Sequence, residues 1–495
     1  MKTFKKDWKL GAAVGTALSL GSAGAIAGPH GFDLHNVLHG ASASFAGTSI
    51  AHVEDPVSAV FGNPATLTTY YGGTNFMFGA TFYMPRATMV HDGSAGFAVS
   101  GHTSLDTLVE VGGSASTEGV SAFAFDSTSK ADVYAVPTVA VTQDLSGLGI
   151  PVVLGVGVSA TSGIGVDYRH TSNTLGAGAE LINLGVNAGI GMKMSDTLDV
   201  GVAMTITYAM LEAGLTGSGN QVHDIGFRAT VGARKSMGPM TIGAYFQTEQ
   251  EHEYDNLHVT SNDGTTLSNL SGASGYTVKC NKDRGNVCRQ DVTVQQPYNI
   301  GLGMSMDMGN NLMVMADITH KKWSEAHFFK EFYDDQNVIS IGVQKTMGNL
   351  KLRAGYGYAD DPLLSQVKAG QEIQTIGGVN VMGETYTSPM YGLFMSYFQA
   401  METPVIYKHR VAVGLGVENF LGVPFLSLDS HVAVQLEEDK CFGSGQRGLA
   451  TSQSFGAAVG TSLTNTADVS GCTIGDHTKA TVSSFHLGGA LTWSF

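Results

Sequence analysis

The chain lacks long apolar runs. Beyond its first 27 residues no segment gives about 20 uninterrupted apolar residues, so helical membrane spans are excluded. Proline is scarce, at 12 of 495 residues, and charged residues make up only 14%. A disordered chain would be richer in charge and poorer in β-branched and aromatic residues. Basic residues are the scarcer sign. Removing residues 1–27 takes away four lysines and one aspartate, leaving 23 basic against 41 acidic residues and a formal charge of −18. Nucleic acid is therefore excluded as a partner. Cysteine is limited to Cys280, Cys288, Cys441 and Cys472. Their spacings do not suit a zinc module and no histidine pair stands beside them, so no metal or other cofactor is expected. Also missing are a G-x-S-x-G elbow, an H-E-x-x-H pair and a phosphate loop.

What the chain does have is glycine, 65 residues of it, and a leader. Lys2, Lys5, Lys6 and Lys9 form a basic stretch, residues 11–20 a short apolar core, and Ala25-Ile26-Ala27 a signal-peptidase site, so residues 1–27 read as a cleaved signal peptide. A leader without a helical span leaves periplasm, medium or outer membrane.

Alternation decides among these. Apolar and small-or-polar residues alternate in runs of about ten, the signature of transmembrane barrel strands. In 222–234, Ile225, Phe227, Ala229, Val231 and Ala233 share one face, while Asp224, Gly226, Arg228, Thr230, Gly232 and Arg234 share the other. In 350–359, Leu350, Leu352, Ala354, Tyr356 and Tyr358 oppose Lys351, Arg353, Gly355 and Gly357. In 425–437, Leu426, Leu428, Val432, Val434 and Leu436 oppose Asp429, His431, Gln435 and Glu437. Charges on the second face would be costly in a dry core but suit a wet lumen.

The runs predict an all-β fold, a transmembrane antiparallel β-barrel of about fourteen strands. The strands are expected over 73–84, 131–143, 151–162, 178–193, 197–211, 222–235, 239–254, 292–308, 311–321, 337–346, 350–359, 407–418, 424–438 and 480–495. Connections at 144–150, 194–196, 236–239, 309–310, 347–349 and 419–423 are short and alternate with generally longer ones, the asymmetry of periplasmic turns and external loops. Residues 31–67 break the pattern. This small-residue stretch lies between leader and first strand and reads as a plug, giving a signal peptide at 1–27, a plug or hatch at 28–72 and the barrel at 73–495. Leu487, Gly489, Leu491, Trp493 and Phe495 share one parity in a final strand. A terminal Phe495 resembles the signal read by outer-membrane assembly machinery. The cysteines fit an oxidising compartment, with Cys280 and Cys288 in one long loop and Cys441 and Cys472 in another, although four cysteines allow three pairings.

Gly31-Phe32-Asp33-Leu34, the small-residue run to Glu54-Asp55, and Asn63-Pro64-Ala65 resemble the N-terminal plug of the long-chain fatty-acid transporter (FadL/TodX-type) family. Further matches follow in order: Gln296-Pro297-Tyr298, Asp317 near Lys322-Trp323-Ser324, Arg353-Ala354-Gly355-Tyr356 before Asp360-Asp361-Pro362, and His409 before Gly414 and Gly416. The resemblance implies a plugged fourteen-stranded barrel in the outer membrane. It would capture a hydrophobic ligand at external loops, hold it in an interior pocket and release it sideways at a kinked third strand.

By resemblance Phe32 contacts ligand; otherwise it tucks the terminus into the plug. Asn63, Pro64 and Ala65 set plug geometry. Gly155, Gly157, Gly163 and Gly165 lie along and just beyond the third strand, where glycine permits a bulge or bend. Crowding against a plug would demand the same glycines. Arg228 and Arg353 face the lumen by parity and are candidates for a ligand carboxylate; the alternative is pairing with Asp224, Glu249, Asp317 or Glu437. Phe394 and Phe398 sit in an apolar cluster at 390–398 that reads as a capture surface; the alternatives are an extension of the neighbouring strand and a packed loop core. The expected function is uptake of long-chain fatty acids or similar hydrophobic compounds by a monomeric, non-enzymatic barrel in contact with outer-membrane lipid. A general diffusion porin is the alternative, and an outer-membrane lipase or protease a further one.

Overall fold

A computed structural model describes residues 34, 36–91, 125–131, 133–171, 174, 177–213, 221–260, 279–281, 287–331, 333–363, 379–381, 384–386, 402–443, 472 and 476–495. Fourteen antiparallel strands close into a barrel. They are β1 (Thr74–His91), β2 (Tyr134–Asp144), β3 (Val152–Asp167), β4 (Gly178–Lys193), β5 (Leu198–Ala213), β6 (Val222–Met237) and β7 (Met240–Gln247). The second half is β8 (Asn299–Asp307), β9 (Leu312–Lys321), β10 (Gln336–Met347), β11 (Leu350–Ala359), β12 (His409–Val417), β13 (Leu426–Gly443) and β14 (Asp476–Ser494). Each pairs with its sequence neighbour, and β1 pairs with β14 from Asn75↔Ser494 to His91↔Thr478, which closes the cylinder. Closure pairs the strand edges around the cylinder except above the β2–β3 ladder. Among the described residues no helix is long and apolar enough to cross a membrane.

The faces are inverted relative to a soluble protein. Phe227, Leu302, Ile225 and Val413 are exposed on the outside, while Arg228, Thr230, Asp317, Arg353, Asp429 and Gln435 are buried inside. This is the alternation expected of strands with lipid on one side and a polar lumen on the other. The tightest turns, Gly238-Pro239 and Gly348-Asn349, each begin with glycine at φ +61°, a left-handed conformation suited to two-residue hairpins.

Three details depart from simple alternation. The expected strand 239–254 ends at Gln247; after Thr248-Glu249 a new strand, Gln250–Thr260, pairs with Val287–Gln296 in a separate sheet. The expected strand 292–308 is likewise divided, because Pro297 has no N–H to give to a ladder. In β13 a register shift between Gln435 and Glu438 leaves Glu437 exposed, off the inner face that its parity assigned.

Residues 36–72 lie against the inner wall as three short turns: Ser42–Phe45, the helix Pro56–Phe61 and Pro64–Tyr70. Each of the latter two starts with an acceptor side chain followed by proline. Asp55 Oδ1 accepts from Ser58 N at 2.8 Å and Asn63 Oδ1 from Ala65 N at 3.1 Å, each satisfying a donor that a helix start leaves unpaired. Six residues are too few for a helix to persist alone. Val57, Val60, Phe61 and Leu67 bury against Met77, Ala140, Val153 and Ala490 of the wall. The wall is glycine where the segment approaches it closely: a Cβ at Gly355 would stand 2.6 Å from Ala46 N, Gly201 and Gly243 are similarly close to the backbone of Pro64 and Ile50, and Gly232 and Gly414 to the side chains of Asn63 and Ser44.

Candidate functional site

Toward the short turns, charged side chains fasten the segment to the wall. Asp55 Oδ2 also accepts from Ala41 N at 2.9 Å and Ser42 N at 3.1 Å, folding the segment back on itself. Burial nonetheless pushes its carboxyl up to about 6, against the hydrogen bonds from Ser58. Glu54 lies beside Lys351 Nζ (2.8 Å), Arg353 Nη2 (3.5 Å) and His52 Nε2 (3.0 Å). Burial alone would raise its carboxyl, but the His52 hydrogen bond and the Lys351 and Arg353 charges hold it far below the usual carboxylate range. Arg353 further pairs with Asp429 and donates to Gln344 Oε1 at 2.7 Å. Asp317 of β9 accepts from Ser49 N at 2.7 Å and Ile50 N at 3.0 Å. Arg234 pairs with Asp199 at 2.7 Å and donates to Thr68 and Thr69.

Farther up, the wall opens. The β2–β3 ladder covers only Val139–Asp144 against Val153–Val158. Above it, among the described residues, 134–138 pair with β1 alone and 159–166 with β4, until Lys130 N donates to Asp167 O at 2.9 Å. A register shift between Ala160 and Ser162 bulges β3 at Thr161. The bulged carbonyl is taken by Leu34 N at 3.0 Å. Leu34, Val37 and Leu38, ahead of the three turns, pack with Tyr83, Val136 and Ala160 and so cover the interrupted ladder. Thr81 Oγ1 donates to Leu38 O at 2.8 Å, His39 Nε2 lies 2.8 Å from Ser159 Oγ, and Arg410 Nη2 donates to Val37 O at 2.7 Å.

Above these residues lies an apolar cluster. Trp323 stacks edge-on against Phe329 and Tyr333, with centroids at 4.9 and 5.2 Å. Tyr168, Tyr254, Ile406, Tyr407 and Met89 belong to the same cluster, gathered from β1, the hairpin and three loops. Tyr83 Oη reaches Tyr407 Oη at 3.4 Å, linking it to Leu34, Val37 and Leu38 below.

The residues singled out in the sequence fall in different places. Arg353 lies in the charged fastening. Arg228 donates Nε to Thr248 O at 2.7 Å and Nη2 to Pro297 O, the two carbonyls where the barrel strands give way to the hairpin. Asn63 Nδ2 bridges Ile50 O (2.8 Å) and Ala233 O (3.1 Å), tying segment to wall, with Pro64 and Ala65 buried beside it. A Cβ at Gly155 would stand 2.5 Å from Leu67 Cδ2, and Gly157 faces Phe61 and Val60. Beyond the Thr161 bulge Ile164 and Val166 join the interior cluster, while Gly163 and Gly165 lie on the opposite parity. Cys441 and Cys472 form a disulfide, and Cys280 stands opposite Cys288 in a backbone pairing. Phe32, Phe394 and Phe398 lie outside the described residues. Arg410 was legible as a lumen-facing cation by its parity with Gly414 and Gly416, yet alternation alone does not reveal which acids it lacks.

No family model and no curated protein matches the chain in sequence. Solved structures do match. The Pseudomonas putida toluene transporter TodX is 15% identical over 92% of this chain and 98% of its own, with a TM-score of 0.55. A Pseudomonas aeruginosa FadL homologue is 14% identical over 94% and 99%, also at 0.55. The CymD monoaromatic hydrocarbon channel is 13% identical over 93% and 98%, at 0.51. The chain thus has the fold of the FadL/TodX-type barrels.

Proposed function

We propose that this protein is an outer-membrane channel for the uptake of hydrophobic compounds, exported by its leader and assembled by way of the terminal Phe495. Its N-terminal segment acts as a plug that bars straight passage, and cargo leaves sideways between β2 and β3. The observation that carries this reading is the interrupted ladder with Leu34 bonded into its bulge. A wet straight pore would serve such cargo poorly, since each CH₂ moved from an apolar site into water costs about 0.8 kcal/mol. The aromatic cluster around Trp323 offers an apolar holding place, and an opening in the wall leads to lipid. In this reading Phe32 contacts the cargo just ahead of Leu34, Phe394 and Phe398 belong to the external capture surface, and Arg353 serves to fasten the plug. Structures of similar fold are transport channels for toluene and other monoaromatic hydrocarbons, which supports transport over catalysis.

The test is reconstitution in liposomes. Transfer of a hydrophobic probe without leakage of ions or sugars is expected; free conductance would defeat the reading. Cysteines at Val136 and Ala160 joined by a reducible cross-linker should stop transfer until reductant is added. Undiminished transfer through the cross-linked protein would rule out the lateral exit.

A further inference from the structure

We infer that two of the short turns, 145–151 between β2 and β3 and 419–425 between β12 and β13, are lipid-binding feet that dip into the periplasmic leaflet and seat one sector of the barrel in its phospholipid. The inference rests on reading the chain as a membrane barrel and is independent of its cargo.

The short turns are of two kinds. Four close their strand with an exposed methionine on the outward parity, Met194, Met237, Met308 and Met347, and then cross through residues such as Ser195, Gly238, Asn310 and Asn349. Their tips suit water. The other two have apolar tips. Leu148 is 76% exposed with Ile150 exposed beside it, and Leu421 is 81% exposed with Val423 and Phe425 exposed after it. Neither 145–151 nor 419–425 contains a charged residue.

Backbone conformation says the same. Leu421 and Phe425 have φ of +55° and +63°, in the left-handed region. The plain turns fill such positions with Gly238, Gly309, Asn310, Asn311 and Gly348, which adopt it at little cost. A leucine or phenylalanine there is strained, and a contact made by the side chain has to offset the strain. Both turns also satisfy their own backbone. Gly422 N donates to Asn419 O at 2.9 Å, Val423 N to Phe420 O at 3.0 Å and Phe425 N to Asn419 Oδ1 at 3.3 Å. In 145–151, Leu148 N and Ile150 N donate to Leu145 O at 2.9 and 3.3 Å, Gly149 N to Ser146 O at 2.9 Å and Ser146 N to Asp144 Oδ1 at 2.8 Å. Pro151 and Pro424 have no N–H to satisfy. Irregular backbone leaves water cheaply only when its polar groups are paired. The flanking acids are held as well, Asp144 by Gly72 N and Ser146 Oγ and Glu418 by Lys351 Nζ at 3.0 Å.

Continuity identifies the occupant as lipid. Around the cylinder the two turns bracket β2, β1, β14 and β13. Between them, at the lower end of β14, Trp493 and Phe495 are exposed and stack at 5.6 Å. Trp493 is the cross-strand partner of Leu426, the residue directly after the second turn. The outward apolar face therefore runs on into 419–425. Aromatic rings at the end of a barrel strand mark the headgroup boundary, so side chains beyond them are within reach of acyl chains. An uncharged aliphatic tip suits that medium, which offers no directed hydrogen bond.

The test measures depth on the full-length protein in liposomes of phosphatidylethanolamine and phosphatidylglycerol, through single introduced cysteines carrying the fluorophore NBD. Leu148→Cys and Leu421→Cys should be quenched several-fold more than Asn310→Cys and Asn349→Cys by a phospholipid spin-labelled near the top of its acyl chain. Iodide, present on both sides, should quench the two feet several-fold less than the two polar turns. Val413→Cys, mid-strand on the outward face, gives the fully immersed value. Equal iodide quenching at feet and polar turns, with Val413 immersed, would overturn the inference and leave the membrane reading intact; an iodide-exposed Val413 would sink both. Shielding from iodide without quenching by the lipid would mean a protein contact and would also overturn it, as would immersion of one turn alone. If Leu421→Cys fails to assemble, Leu148→Cys and Phe425→Cys decide.

Discussion

Near the short turns, the interior is held by ion pairs and hydrogen bonds between the N-terminal segment and the wall. Near the long loops it is held by stacked rings and aliphatic side chains. In the first region Glu54 pairs with Lys351 and Arg353, Asp429 with Arg353 and Asp199 with Arg234, while Asp55 and Asp317 accept from backbone N–H groups. In the second, Trp323, Phe329, Tyr333 and Ile406 belong to one apolar cluster. Paired charges give one registered geometry and discriminate against sliding. An apolar cluster gives affinity without direction, and Met and aromatic groups accept varied shapes. The uptake proposed above, sealed at one end and receiving at the other, would use this division.

The division can be broken by experiment, starting with its strongest element. Deleting residues 34–72 should turn a sealed barrel into a conducting one, because the glycine-lined wall facing the segment is left open to water; an increase of at least about tenfold in bilayer conductance is expected, equivalent to about 1.4 kcal/mol or more of barrier removed. Arg353→Met leaves Asp429 and Glu54 facing an apolar group and should cost about 3–5 kcal/mol, read as an earlier loss of the folded barrel during heating in detergent. Trp323→Ala should cost a similar amount, about 3–5 kcal/mol, but should also weaken binding of an apolar probe, which Arg353→Met should not. Glu54→Gln keeps Arg353 paired with Asp429 and should cost only about 1.5–3 kcal/mol, seen as faster amide exchange across 41–58.

The finest distinction is one of pH. Asp55 titrates near 6 in the folded protein, above its ordinary value of 3.8, so the folded segment holds the extra proton between the two. Its contribution to docking is complete below about 4 and is lost as the pH rises through 6. Glu54 is depressed, so its contribution is present above its ordinary value of 4.5 and is lost as acid protonates it. The protection of amides 41–58, taken relative to their intrinsic exchange rate at each pH, should therefore be greatest between the two limbs. Asp55→Asn should remove the limb between 4 and 6 only, and a limb that survives would mean another group titrates there.

Alternation made the wall legible because side chains on a strand alternate strictly and the two sides meet different solvents. That single fact assigned fourteen strands, placed Arg228 and Arg353 inside, and separated short turns from long loops. It failed wherever one extra residue entered a strand. The bulge at Thr161 moves Gly163 and Gly165 to the opposite parity, and the shift after Gln435 carries Glu437 outward. Nothing in a period-two pattern announces such an insertion, since the cause is a contact with another part of the chain.

The sequence by itself determined the strands, their facing and the segment set apart before them, because all three follow from local patterns of polarity and from proline and glycine positions. Which acid meets which base was decided only in three dimensions. Glu54 meets Arg353 across 299 positions and Arg410 meets the Val37 carbonyl across 373, and in neither case does chain distance carry any trace of the pairing. Arg353 and Arg410 are the same residue type on the same side of the wall. One is neutralised and the other is not, because closure of the cylinder sets different neighbours beside each.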